Sequence, residues 1–269
     1  MTRTTEALRG FVRGRAGISM GADKDYLILS RLEPHLREWG MTSLDGLAAH
    51  LSTDPRGRVA TQVVSALTIN ETLWFRDSKP FDYLSKVILP DIVARKGRDK
   101  TLSIWSAACS TGQEVYSIGM VLKEEDARLR DWSISIMGSD ICEPAVTRAR
   151  AGVYTQFEVQ RGLPIQRLVR YFEQSGQEWS VRKDLREKIS FRVMNLLDLP
   201  HGVGPFDVVF CRNVLIYFDV DVKTKVLDAI ARRLRPGGYL LLGSAETTIG
   251  ISSMFAPVPG ATGLYRLTP

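Results

Sequence analysis

The chain has 269 residues, 44% of them hydrophobic, which allows roughly two domains at about 150 residues each. A net charge of +6 favours an acidic partner without choosing its kind, and three cysteines outside any CxxC pair or histidine cluster speak against a disulfide framework or a metal site. No apolar run reaches the length of a membrane span and the start, MTRTTEALRGFVRGRAGISM, lacks the apolar core of a secretory signal, so the expectation is a cytoplasmic chain without membrane insertion.

Residues 1–80 read as a helical N-terminal domain. The stretches DKDYLILSRLEPHLREWG and SLDGLAAHLS carry apolar residues at three-and-four spacing, with Asp or Ser at the N-caps and Gly40 as a stop. The next helix is expected over DSKPFDYLSKVILPDIVARKG, starting near Asp77 or Ser78 and ending at Gly97, with Pro90 kinking or splitting it. From Lys100 short apolar runs alternate with helix-length segments: TLSIWSA, GQEVYSIGMVLKEED, WSISIMGSD, EPAVTRARAG, ISFRVMN, FDVVFCRNVLIYF, DVKTKVLDAIARRL and GGYLLLGS. Such alternation predicts an α/β domain over 81–269 with a parallel, Rossmann-like sheet covered on both faces. Residues 154–188 break the pattern with a short amphipathic piece and a glycine-containing hairpin, and are read as an inserted β-subdomain. MFAPVPGATGLYRL predicts an antiparallel pair closing the sheet.

In doubly wound folds the ligand lies at the carboxyl ends of the strands, and the loop after the first strand carries its nucleotide group. That loop, SAACSTGQE at 106–114, has neither GxGxxG nor GxxxxGK[ST], so a nucleoside without phosphates is favoured. S-adenosylmethionine fits, with its adenosine, zwitterionic tail and sulfonium. Glu114 is the candidate for an ammonium or other donor of the ligand, or else a carboxylate at a helix N-terminus. Asp140, ending ISIMGSD, can accept both ribose hydroxyls, or else cap the helix that begins near Pro144. Asn195 in RVMNLLD can meet the adenine edge through its amide, or else shape a turn.

The fourth strand ends in VVFCRNVLIYFD, residues 208–219. Enzymes that methylate amino groups of nucleic acids place [DN]-P-P-[FY] there; here Arg212, Asn213 and Tyr217 stand instead. Arginine and tyrosine suit a carboxylate acceptor, which they can orient and which needs no general base once ionised. With these motifs in order, the chain resembles the CheR-type chemotaxis receptor methyltransferases. NETLWFRD at 70–77 is similar to that family's N-x-T-x-F-F-R stretch, WSAACSTGQEVYSIG to its first cofactor loop, SDI to its ribose acid, NLLD to its adenine contact, CRNVLIYFD to its fourth-strand motif and LRPGGYLLLGSAE to the turn and strand that follow.

The resemblance implies a helical N-terminal domain for receptor recognition, a Rossmann-like domain and a β-subdomain inserted in it. It implies a protein-glutamate O-methyltransferase that uses S-adenosylmethionine, yields S-adenosylhomocysteine, and acts on a methyl-accepting chemotaxis receptor or receptor-like protein rather than on nucleic acid; a monomer is expected. Carried over, Asn70, Thr72, Arg76, Ala107, Glu114, Asp140, Asn195, Leu196, Cys211, Arg212 and Asn213 line the cofactor site, with Arg76 and Tyr217 beside the transferable methyl and no metal. Basic residues Arg3, Arg9, Arg13, Arg15, Lys24, Arg31 and Arg37 are the candidates to meet an acidic receptor face. The chain departs from the family at Gln113 and Val115, where G-E-E-P-Y-S is common, and at Trp74, where a Phe is usual. The alternative reading is a catalytically idle module that binds S-adenosylmethionine in signalling.

Overall fold

The computed structural model describes residues 3–268. They divide into two compact units, one running to Ile69 and taking in Tyr217–Lys223, the other comprising Asn70–Ile216 with the chain from Thr224 onward.

The first unit is built on α1 (Arg3–Ala16), α2 (Asp25–Leu32), α3 (Leu44–Thr53) and α4 (Arg58–Leu67). Their apolar stripes meet in one core of Leu8, Val12, Ile28, Leu32, Leu47, Leu51, Val63 and Leu67, all buried. Ser43 caps α3, its Oγ accepting from the Gly46 N–H at 3.2 Å. The helix expected to run on to Gly40 instead ends at Leu32, and a 3-10 turn takes over at Glu33–His35. Pro34 is the reason: it donates no N–H, so the i→i−4 ladder of α2 cannot continue through it.

The second unit begins with the segment 70–77, eleven residues before the boundary expected at 80/81, because Trp74 and Phe75 are buried in this unit's core. Then come α5 (Lys79–Tyr83), a π-helical turn (Leu84–Ile88) and α6 (Leu89–Lys96). The turn widens just ahead of Pro90, which removes one i→i−4 donor and crowds the preceding carbonyl, so the expected kink takes the form of a local unwinding. Ser78 stands at the N-cap but makes no capping bond with its side chain.

The sheet follows: β1 (Thr101–Ala107), α7 (Gln113–Glu124), β2 (Ser133–Asp140), α8 (Glu143–Ala151), then β6 (Ile189–Val193), β7 (Phe206–Cys211), α12 (Val220–Ala231), β8 (Leu234–Leu242), β9 (Phe255–Pro257) and β10 (Leu264–Leu267). The strand order is β6-β2-β1-β7-β8-β10-β9. β6, β2, β1, β7 and β8 run parallel, and β10 and β9 close the edge antiparallel. β7 is buried at every position, as a parallel strand covered on both faces must be. The order reverses at β1, with β2 on one side and β7 on the other, which makes its carboxyl end the switch point where such sheets bind ligands.

Between α8 and β6 lie β3 (Val153–Thr155), α9 (Gln156–Gln160), α10 (Ile165–Tyr171), β4 (Phe172–Ser175), β5 (Glu178–Val181) and α11 (Lys183–Arg186). The three strands form a separate antiparallel sheet, β3-β5-β4. Thr155 and Glu158 make a capping box that starts α9.

Candidate functional site

The loop after β1 is folded by left-handed residues in alternation: Ala108 at φ 58°, Ser110 at φ 51° and Gly112 at φ 95°. Such geometry is costly outside glycine and persists only where the surroundings hold it. Asp140, at the end of β2, supplies much of that hold. Its Oδ2 accepts from the Ser110 N–H at 2.8 Å and its Oδ1 from the Cys142 N–H at 2.9 Å. Ser110 Oγ donates to the Asn70 carbonyl at 2.8 Å, and Asn70 Nδ2 lies 3.2 Å from Cys142 Sγ. Loop, ribose-acid position and the 70–77 segment are therefore one bonded unit. Burial pushes the Asp140 carboxyl up from its ordinary value, while the backbone N–H groups of Cys142, Ser110 and Ile141 pull the other way. Gly112 is required twice: by its φ, and because a Cβ there would come 2.9 Å from Ala149 Cβ.

A second network lies at the end of β7. Arg212 has a side chain 1% exposed, and its guanidinium donates to Glu114 Oε2 at 2.8 Å, to Asp77 Oδ2 at 2.6 Å and to the Arg76 carbonyl at 2.9 Å. Glu114 also accepts from Ser106 Oγ, at 2.8 Å. Arg212 was expected to hold an acceptor anion; it is instead an internal strut joining the end of β7 to α7 and to the 70–77 segment. The reason is charge pairing, since a guanidinium this buried needs carboxylate partners inside the protein.

The remaining site positions fall around these networks. Ala107 ends β1 and pairs in register with Cys211, and both are buried. Burial pushes the Cys211 thiol well above its ordinary value, so it packs as an apolar group. Leu196 is buried just past β6, and Asn195 Oδ1 accepts from the Leu197 N–H at 3.0 Å, the turn role the sequence left open. Asn70 and Thr72 line a cavity of about 270 Å³ together with Thr111, Gln113, Cys142 and Arg148. Arg76 is half-buried and donates from Nη1 to the Glu71 carbonyl at 3.3 Å. Tyr217 closes a 3-10 turn, Leu215–Tyr217, and belongs to the helical unit, where its carbonyl accepts from the Ser19 N–H at 2.8 Å. The structure thus bonds Asn70, Asp140 and the β1 loop together, and bonds Arg76, Glu114 and Arg212 together, while Tyr217 is grouped elsewhere.

Trp74 is wholly buried against Tyr154, Phe172 and Tyr116, with ring centroids at 4.9, 5.2 and 6.5 Å. Its extra bulk over phenylalanine is taken up by this aromatic core. In the helical unit Arg9 pairs with Asp25, Arg13 with Asp219 at 2.7 Å, and Arg31 donates to the carbonyls of Leu67 and Thr68, both at 3.2 Å. Arg3, Lys24 and Arg37 are exposed. Part of the basic surface read as partner-facing therefore supports the unit's own fold.

Sequence reasoning passed over Glu246, which is buried and accepts four backbone N–H bonds from the residues after β7 and β8. Its only signal was a lone acid in the apolar context LLLGSAE. Among the described residues no helix is long and apolar enough to cross a membrane, and no group of three His, Cys, Asp or Glu could hold a metal ion.

Comparison with known proteins agrees with this layout. A family model described as CheR methyltransferase, SAM binding domain, matches residues 70–264, and one described as CheR methyltransferase, all-alpha domain, matches residues 3–68. The chain is 40% identical over 263 residues to chemotaxis protein methyltransferase Cher2 of Pseudomonas putida, spanning 96% of this chain and 95% of that one. It is 41% identical over 266 residues to chemotaxis protein methyltransferase 1 of Pseudomonas aeruginosa, spanning 97% and 96%. Against the chemotaxis protein methyltransferase of Vibrio parahaemolyticus it is 40% identical over 261 residues, spanning 96% and 94%.

Proposed function

The chain belongs to the CheR methyltransferase family, and on that premise we propose that it esterifies glutamate side-chain carboxylates on the cytoplasmic helices of a chemoreceptor. It is an S-adenosylmethionine-dependent methyltransferase of chemotaxis, and S-adenosylhomocysteine is the expected co-product.

The donor set suits this cofactor. Each oxygen of Glu114 takes one bond from the protein, from Ser106 and from Arg212, and so keeps acceptor capacity. Asp140 is anchored by backbone N–H groups and keeps acceptor capacity for a ribose hydroxyl. An acid at the end of β2, another in the first turn of α7 and a loop without a phosphate fingerprint match a cationic nucleoside rather than a nucleotide.

When bound, S-adenosylmethionine supplies an electrophilic methyl on a cationic sulfur, which an anionic carboxylate oxygen can attack in line. The protein's part is to place and to dry. Asn70, Thr72, Glu114, Asp140, Asn195, Leu196 and the Cys211–Asn213 turn are proposed to hold the cofactor, and Arg76 to orient the acceptor carboxylate. Opposite charges vanish as the bond forms, so excluding water avoids solvating the ions being neutralised, and alignment supplies much of the remaining advantage. An ionised acceptor needs no base. The observation that carries the reading agrees: none of the three histidines, His35, His50 and His201, falls in a strand-end motif where a general base would stand.

The test is transfer of tritiated methyl from S-adenosylmethionine to a panel of cytoplasmic receptor fragments, with Arg76→Ala as control. Base-labile label that disappears in the variant is the expected result. Base-stable label, or cofactor binding with no label on any fragment, would contradict glutamate esterification.

A further inference from the structure

We propose that Glu246 is the positioning residue for the turn after β7, fixing the backbone that presents Cys211–Asn213 to the cofactor; the proposal rests on the methyltransferase reading of that turn. Its carboxylate accepts from Asn213 N–H at 2.7 Å and Gly243 N–H at 2.6 Å through Oε2, and from Val214 N–H at 2.9 Å and Leu215 N–H at 2.7 Å through Oε1. Two oxygens with about four acceptor sites receive four donors, so the group is filled by backbone alone. It is 8% exposed, and the four dipoles take the place of a counter-charge.

The turn needs such a clamp. Asn213 sits at φ 58°, a left-handed conformation that costs a non-glycine residue of the order of 1–3 kcal/mol and survives only when neighbouring contacts over-determine it. Three consecutive N–H groups, at 213, 214 and 215, point to one carboxylate and supply that determination. The fit is close. A Cβ on Gly243 would lie 2.7 Å from Glu246 Oε2, 2.8 Å from Asn213 Nδ2 and 3.1 Å from the Asn213 backbone N, so a side chain there would displace the clamping carboxylate. On the other side of Asn213 stands Arg212, whose pairs with Glu114 and Asp77 fix the turn's entry. Glu246 fixes its exit.

Glu246→Gln tests this, because the amide offers one acceptor oxygen and turns donors toward the N–H groups the second oxygen served. Three readouts are taken on the full chain: amide hydrogen exchange of the peptide covering 211–217, S-adenosylhomocysteine affinity, and receptor methylation. The expected result is local exchange faster by about tenfold or more with central-strand protection unchanged, S-adenosylhomocysteine affinity weaker by about tenfold, and kcat lower by about tenfold with KM for receptor within about threefold; an affinity within about twofold of the parent would overturn the proposal. Glu246→Asp, one methylene too short to reach both sets of donors, should fall in the same direction. Unchanged exchange at 211–217 in a folded variant, or kcat within about threefold of the parent, would overturn the proposal. Uniform loss of protection across the sheet in both variants would also overturn it, by making Glu246 a general stability residue. If the parent chain transfers no methyl to receptor, the underlying reading fails on its own, and the exchange and affinity arms still decide the role of Glu246.

Discussion

The loop after β1 and the turn after β7 lie on paired strands, Ala107 in register with Cys211, and both carry left-handed non-glycine residues held by a buried acid. The acids differ in what they have left. Asp140 takes backbone N–H groups from Ser110 in the loop and from Ile141 and Cys142 just past its own strand, which leaves about one of four acceptor positions open, and burial raises its pKa. Glu246 reaches back 31 to 33 residues and has every acceptor position filled by backbone. One acid is anchored with capacity to spare and suits ligand binding; the other is spent on geometry. A strand-end carboxylate is therefore a ligand candidate only after its backbone bonds have been counted.

The sharpest way to break this comparison is to remove the cation that ties the two regions together. Arg212→Ala leaves Glu114 and Asp77 without their shared partner, and is expected to cost about 3–5 kcal/mol of unfolding free energy in urea titration, the penalty of a broken buried pair. A loss below about 1 kcal/mol would mean the strut is screened by solvent, like a surface pair. Next in size is Gly112→Ala, which strains the β1 loop alone. Its φ of 95° and the close Ala149 Cβ predict a loss of about 1–3 kcal/mol and weaker S-adenosylhomocysteine binding, read by calorimetry. An intact affinity would show that the loop relaxes without disturbing the site.

The smallest effect separates the two acids by pH. A raised pKa means that Asp140 favours its protonated form in the folded chain, so its contribution to stability is present below the ordinary carboxylate range and is lost as pH rises through the raised value. Ligand binding runs the opposite way, because the ionised form is the better acceptor for ribose hydroxyls. S-adenosylhomocysteine affinity is expected to weaken as pH falls toward the raised pKa, starting above the usual value of about 4, and to lose that dependence in Asp140→Asn. The same pH profile in wild type and Asp140→Asn would assign the titration to another group.

Much of this was legible in the sequence. The alternation of apolar strands and helices gave the sheet and its antiparallel edge, and the acid ending ISIMGSD marked Asp140 because a strand end is where a doubly wound fold uses one. Other features depended on contacts that spacing does not encode. Arg212 looked like an anion holder because a sequence does not show whether a cation's partner is a ligand or a neighbouring Glu. Trp74 stood out only as a departure from the family's Phe, because its direction, into an aromatic core, is set by tertiary packing. Glu246 was missed because its partners are backbone groups, which every residue type shares. Pro34 was readable and decided the end of α2 over the apolar periodicity that ran past it.

The most direct test of the central claim is peptide mapping by mass spectrometry of a receptor cytoplasmic fragment after incubation with the full chain and S-adenosylmethionine. The account predicts a mass gain of one CH2 per site, confined to peptides containing glutamate, fragmenting to methyl ester on its side chain and removed by mild base. The same gain on lysine, arginine or a chain terminus, stable to base, would contradict it.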